Sequence, residues 1–143
     1  MPIIISNDKL DIIKKHAAEI FPYEACGAIL GIIEGDNKTI TAVFPANNRY
    51  KKIAWDKFEI EPKDMLAIDK LSRAGNIEIV GFYHSHPNYP AIPSSYDVDA
   101  SWPYYSYMIL SVKGKEPGDV SDIKSYLMPD KKNKPLIETI IIA

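Results

Sequence analysis

The chain has 143 residues, a net charge of −2, 46% apolar and 25% charged residues, the profile of an ordinary globular protein of one domain spanning 1–143. That balance gives no reason to expect nucleic acid as a partner, and pairs such as Lys51-Lys52 and Lys131-Lys132 read as solvated surface. Cys26 is the only cysteine, which excludes an internal disulfide and a cysteine-based zinc knuckle. No apolar run approaches the ~18 residues of a membrane helix, and Met1 to Ser6 lacks the basic region of a signal peptide. A cytoplasmic protein without membrane partners is the expectation.

In chain order, Ser6 or Asn7 caps a helix expected to run to about Ile20, with Leu10, Ile13, Ala17 and Ile20 at helical spacing. Pro22 ends it. His16 on this helix reads as a half-exposed surface residue. Ala28 to Ile33 reads as a buried strand, Glu34-Gly35-Asp36-Asn37 as a hairpin turn, and Lys38 to Phe44 as the returning strand. Pro45 to Lys57 is polar and irregular, and Phe58-Glu59-Ile60 is a candidate short strand. Pro62 fits the first turn of a helix to about Ala74, with Met65, Leu66, Ile68 (or Ala67) and Leu71 at helical intervals and Gly75 as its stop.

A strand over Ile77 to His86 follows, then a proline-rich loop and a short helix near Asp97 that Trp102-Pro103 cuts off. Tyr104 to Val112, Ile123 to Met128 and Leu136 to Ile142 read as three further strands, with a turn over Gly114 to Asp119. Helix, hairpin, helix, strand, loop and strands together predict a mixed α/β or α+β sheet protein with helices packed on the sheet.

The chemistry concentrates in residues 81 to 97. Alternate residues of a strand share a face, so His84 and His86 present both imidazoles to one point. Asp97 returns from the loop as a third candidate ligand, and two histidines with one carboxylate form a catalytic zinc set with one position left for water. Such a metal lowers the pKa of water from 15.7 toward about 7 and polarises a carbonyl. Glu24, in the tight Tyr23-Glu24-Ala25-Cys26-Gly27 segment, is the candidate general acid/base. Ser94 is the candidate oxyanion donor. Each residue alone has a plainer reading: a histidine pair in a core, and Ser94 or Asp97 as a helix cap. Cys26 reads either as a small buried residue or as a thiol near the site.

Glu24, then His84-Ser85-His86-Pro87, then Ser94 and Asp97 in a Ser-x-x-Asp arrangement, together resemble the JAMM (MPN-plus) metalloprotease family. Further segments resemble its short prokaryotic, Mec-type branch: Pro22 to Gly31, Asn47-Asn48, Phe58 to Pro62, Val80 to Pro87 and Tyr107 to Ser111. The similarity runs from about residue 7 to 128. It implies a curved mixed β-sheet with flanking helices, related in shape to the cytidine deaminases. By position it implies that His84, His86 and Asp97 hold one zinc ion, that Glu24 is the acid/base and that Ser94 steadies the oxyanion. It further implies hydrolysis of a peptide or isopeptide bond after the C-terminal Gly-Gly of a ubiquitin-like or sulfur-carrier protein. Archaeal relatives remove ubiquitin-like modifiers. The tail of such a partner is expected to lie along a strand edge within Asn47 to Ile60, near Tyr50 and Trp55.

The chain lacks the residues for a second, structural zinc. A deaminase needs a cysteine-containing zinc set that one cysteine cannot supply. A non-haem iron site shares the two-His, one-carboxylate set but leaves Glu24 and Ser94 without a task. A non-catalytic binding module on the same fold, or a hydrolase of a small amide, are the other readings of the same residues.

Overall fold

The structure, a computed structural model, describes residues 2–50 and 56–143. Lys51, Lys52 and Trp55 lie outside the described residues. In chain order the elements are β1 (Ile3–Ile5), α1 (Asn7–Ile20), β2 (Cys26–Glu34), β3 (Asn37–Ala46), α2 (Pro62–Gly75), β4 (Glu78–Pro87), α3 (Ser95–Ala100), β5 (Ser106–Val112), β6 (Val120–Leu127), β7 (Leu136–Glu138) and β8 (Ile140–Ile142). The strands form one mixed sheet in the order β7-β6-β5-β4-β2-β3-β1-β8.

Helices cover both faces, as the pattern of elements predicts. Leu10, Ile13 and Ala17 of α1 pack on Ile29, Tyr83, Met108 and Leu110. Across the sheet, Ile68 of α2 packs with Cys26, Ala28 and Leu30. Val98 of α3 packs with Tyr107 and Ile109 on that second side. Alternate residues of β2 and β5 thus serve opposite cores, the period-2 consequence of strand geometry. At Gly27 a Cβ would come within 2.3 Å of the Tyr83 ring, so glycine lets that ring lie flat against β2.

Local signals account for most boundaries. Ser6 caps α1, its Oγ accepting from the Lys9 N–H at 3.4 Å. Pro62 opens α2, but Asn76 rather than Gly75 ends it, with φ 51° in the left-handed region. The expected apolar face of α2 is only partly buried. Ile68 is inside, whereas Met65, Leu66 and Leu71 are exposed. Met1 to Ser6, read only for targeting signals, contains β1, and the strand expected from Tyr104 begins at Ser106. Phe58-Glu59-Ile60 contributes only an isolated bridge, Asn48 to Ile60. Lys131 is not merely solvated, since its Nζ donates to the carbonyls of Val98 and Asp99 at the end of α3.

The main departure is at the C-terminus. The single strand expected over 136–142 is two strands, and they pair with opposite ends of the sheet. β7 runs antiparallel to β6, whereas β8 runs parallel to β1. The Ile3 N–H donates to the carbonyl of Thr139, the residue between them, at 2.9 Å. One short stretch therefore holds both ends, and the sheet curls until it is nearly a barrel.

Inside that curl lies a buried ion pair. Lys38 Nζ of β3 is 2.7 Å from Glu138 Oε2 of β7, with both side chains almost inaccessible. Lys38 also donates to Ser106 Oγ at 2.6 Å, and Ser125 Oγ donates to Glu138 Oε1 at 3.0 Å. Four strands meet in this network. Removing one partner of such a pair strands a charge, which costs about 3–5 kcal/mol. Lys38→Met is therefore expected to lose stability on that order in urea unfolding, and Lys38→Met/Glu138→Leu to recover most of it.

Candidate active site

The end of β4 builds the centre of the site. His84 and His86 share a face, and their Nε2 atoms are 3.1 Å apart. Asp97, in the first turn of α3, brings Oδ2 to 3.2 Å from His84 Nε2 and 3.1 Å from His86 Nε2. All three residues are buried. Atoms that offer lone pairs cannot be packed this closely without positive charge among them, either a proton or a metal ion. A tetrahedral zinc with ligands at about 2.0–2.1 Å sets its donor atoms roughly 3.3 Å apart, so this donor set fits a metal ion of that kind.

Each ligand candidate is held from behind. His86 Nδ1 is 2.8 Å from the Pro90 carbonyl, which can only accept, so Nδ1 carries a proton and Nε2 is the nitrogen turned to the site, protonated toward Asp97 without a metal and free to offer its lone pair to one. Phe58 stacks on His84 with centroids 4.4 Å apart and planes inclined by 20°. His84 Nδ1 is buried without a hydrogen-bond partner among the described residues. On its Nδ1 side, among the described residues, stacking rather than a hydrogen bond holds that ring.

Ser94 and Asp97 form a reciprocal cap on α3. Ser94 Oγ accepts from the Asp97 N–H at 3.1 Å, and Asp97 Oδ2 accepts from the Ser94 N–H at 2.9 Å. The plain reading, helix capping, and the ligand placement of Asp97 are thus both present in one residue pair. Ser94 is exposed, and its hydroxyl proton is not used by the cap.

Glu24 comes from the turn before β2. It is buried, its Oε1 has no partner among the described residues, and an oxygen of it lies within 4.8 Å of both histidines. Glu24, His84 and His86 together are a group able to hold a metal ion. Asp97 Oδ2, at 3.1–3.2 Å from both nitrogens, is nearer to them than Glu24 and is held as a carboxylate.

The two carboxyls are driven apart electrostatically. Burial pushes Glu24 up to about 8, partly offset by His86 and reinforced by Asp97. Burial also works against a charge on Asp97, but hydrogen bonds from His84 and His86 and the Ser94 amide hold it well below the usual carboxylate range. Desolvation lowers His84, whereas for His86 contact with Asp97 and Pro90 outweighs burial and raises it. Two neighbouring carboxyls whose pKa values are driven apart in this way are suited to different tasks.

Cys26 sits in register opposite His84, but its thiol is fully buried among Ala28, Leu30 and Ala46 and pushed up to about 12, chiefly by burial. That environment belongs to an inert core thiol. His16 is half-buried, with Nδ1 2.7 Å from the Tyr83 hydroxyl on the face away from the site. Phe58, the Pro90 carbonyl and Ser85 are site residues to which sequence reading attached no role. Only the proximity of Pro90 to the His-x-His pair offered a signal.

With this geometry in place, the comparisons with known proteins decide the family. Residues 6–126 match the family described as Prok-JAB, prokaryotic homologs of the JAB domain. The chain belongs to this family. A desampylase of Haloferax volcanii is 35% identical over 118 residues, covering 78% of this chain and 81% of the relative. A desampylase of Pyrococcus furiosus is 29% identical over 110 residues, 71% of this chain and 74% of the relative. A Desulfitobacterium hafniense protein solved in solution superposes with a TM-score of 0.84 at 32% identity, over 99% of this chain and 92% of that one. A JAB1/MPN domain protein of Archaeoglobus fulgidus shares the fold, with a TM-score of 0.54 at 16% identity over 99% of each chain. This Prok-JAB protein is a hydrolase of the JAMM type. Among the described residues, no helix is long and apolar enough to cross a membrane.

The buried Glu24 makes a stability prediction. Its carboxyl binds a proton more tightly when folded (about 8) than at the ordinary value of 4.5. Between these values the folded state holds more protons, so stability falls as pH rises and levels off above about 8. In metal-free protein, Glu24→Gln is expected to remove this contribution and flatten the slope of unfolding free energy from pH 5 to 8. An unchanged slope would show that Glu24 is not buried in its neutral form.

Proposed function

We propose that this chain is a zinc-dependent peptidase or isopeptidase that cleaves after the C-terminal Gly-Gly of a ubiquitin-like or sulfur-carrier protein. The observation that carries the reading is the meeting of His84 Nε2, His86 Nε2 and Asp97 Oδ2 within 3.1–3.2 Å of one another beside Glu24, whose carboxyl burial pushes up to about 8. His84, His86 and Asp97 would hold the zinc, which when bound lowers the pKa of water and polarises the scissile carbonyl. In its ionised form Glu24 would take the proton of the attacking water, and the acid so formed would return it to the leaving amine. A carboxyl whose pKa lies near neutrality can do both. Ser94 donates its free hydroxyl proton to the developing oxyanion.

The two relatives named desampylases support a ubiquitin-like partner. The tail of that partner would lie against the segment after β3. There the Arg49 N–H donates to the Glu59 carbonyl at 2.7 Å and the Glu61 N–H to that of Asn47 at 3.0 Å. These bonds join the two arms of a hairpin whose Phe58 overlies His84. A strand added to this hairpin would run past the zinc donors, with Tyr50 beside it. We place the protein, as one domain over 1–143, in the cytoplasm, a reducing setting that suits its lone free thiol.

The test is cleavage of a carrier ending in Gly-Gly, extended by one residue or joined to a lysine. Chelator should abolish cleavage and zinc should restore it, while His84→Ala and Asp97→Ala should be inactive and metal-poor. Cleavage that survives either substitution sinks the reading. Glu24→Gln should retain metal and lose about 10²–10⁴ in kcat. Ser94→Ala should lose roughly 10²–10³ in kcat as an oxyanion donor. A Ser94 that only caps α3 would instead cost about 1 kcal/mol of stability and leave kcat in place.

A further inference from the structure

Asn48 is a buried side chain for which the reaction above has no use. Its amide makes four hydrogen bonds, the full capacity of the group. Nδ2 donates to the Glu24 carbonyl and to the Lys57 carbonyl, both at 3.0 Å. Oδ1 accepts from the Tyr50 N–H at 2.9 Å and from the Glu59 N–H at 3.0 Å. Carbonyls only accept and backbone amides only donate, so the partners themselves decide which way the amide faces.

The first of these bonds lands on the peptide group that follows Glu24. The other edge of the same peptide is also held, because the Ala25 N–H donates to Ser85 Oγ at 2.8 Å. Ser85 stands between His84 and His86. The Glu24–Ala25 peptide is therefore pinned between Asn48 and the strand that carries both histidines. The remaining bonds of Asn48 fix residues 57 to 59, whose Phe58 stacks on His84. The Phe58 carbonyl accepts in turn from the Tyr96 hydroxyl at 2.9 Å, on the helix that bears Asp97. One amide thus joins the turn that carries the acid/base to the hairpin that covers the histidines.

We propose that Asn48 is the positioning residue of this site, setting the Glu24 carboxyl against the histidine pair by holding the Glu24–Ala25 peptide to the hairpin at residues 57–59. It touches neither substrate nor the reacting atoms. Its donor side holds the Glu24 and Lys57 carbonyls, and its acceptor side holds the Tyr50 and Glu59 amides. This proposal rests on Glu24 acting as the acid/base.

That division makes Asn48→Asp the informative variant. The carboxylate keeps both acceptor bonds, to the Tyr50 and Glu59 amides, and loses both donors. Asn48→Asp is expected to lower kcat about 100-fold, the cost of a misplacement near 1 Å, with KM changed less than about threefold. In the Glu24→Gln background the same substitution should lower kcat no further, since its effect runs through Glu24. A residue that merely supports the fold would lower activity equally in both backgrounds.

Amide hydrogen exchange supplies a readout that needs no substrate. In Asn48→Asp the Ala25 amide should exchange at least tenfold faster relative to Ile29 and Met108 in the core, while the Glu59 amide keeps its protection. Wild-type kcat in Asn48→Asp, or an equal loss in the Glu24→Gln background, overturns the proposal. Should the wild-type protein cleave no Gly-Gly carrier, the reading of function fails separately, and the Ala25 amide decides the matter. An Ala25 amide that exchanges as in wild type overturns the positioning role.

Discussion

The site depends on the antiparallel pairing of β2 with β4 at the end nearest the loop. Cys26 lies opposite His84 in register, and one step further the Ala25 and Ser85 main chains are linked, Ser85 N–H donating to the Ala25 carbonyl at 3.0 Å. The Ser85 side chain adds a second link to the same residue. Ala25 and Ser85 are 60 residues apart in the chain, yet these two bonds place Glu24 beside the histidines. A one-residue slip of β4 would turn both imidazoles to the α1 face and bring Tyr83 and Ser85 to the site. Such a slip is opposed by Tyr83, which is fully buried against α1 and lies over Gly27. The packing of the far face thus holds the register on which the near face relies.

The same burial has opposite consequences for the two carboxyls. Glu24 has lost water and, among the described residues, gained no donor to its Oε1, so its pKa rises to about 8. Asp97 has lost water too, but the Ser94 amide and two imidazoles compensate its charge. The helix cap is what brings the amide. A Ser-x-x-Asp sequence at a helix start is both a capping box and the means of holding an anionic ligand still. The cap and the roles proposed for Ser94 and Asp97 fall on the same residues, so the capping seen here does not displace the proposed chemistry.

This coincidence also explains how far the site could be read in the sequence. Period-2 geometry puts His84 and His86 on one face, and a cap motif locates Asp97; both are local rules that need no knowledge of the fold. Phe58 on His84, Asn48 on Glu24 and the paired Lys38 and Glu138 are contacts between distant segments, for which no local pattern exists. The helices were legible where caps and periodicity agreed, as in α1. In α2 the spacing of Met65, Leu66 and Leu71 was helical, but the sheet beneath is covered by Ile68 and leaves the others in solvent. Residues 136 to 142 failed for a different reason. An apolar β-type run says that a strand will form, and carries nothing about whether it serves one edge or two.

That tail also answers a constraint the central strands cannot meet alone. Without β7 and β8, the open six-stranded sheet from β6 to β1 would present two edges with unpaired backbone groups, each a template for another chain. By pairing Leu136–Glu138 with β6 and Ile140–Ile142 with β1, the chain spends six residues on covering both original ends. The turn between them is a single residue, Thr139, which brings the two ends together and forces the sheet to curve. Curvature places β3, β5, β6 and β7 around one interior point, where Glu138 meets Lys38 with hydroxyls from Ser106 and Ser125. A buried ion pair contributes little net stability compared with an apolar pair of the same volume, whereas breaking it by removing one partner is costly. A closure that separated Lys38 from Glu138 would strand both charges, so the pair penalises other ways of closing the sheet. In the closure observed, β4 and β5 are aligned from Gly81 and Ser106 up to His86 and Ser111, the end of the sheet where the histidines lie.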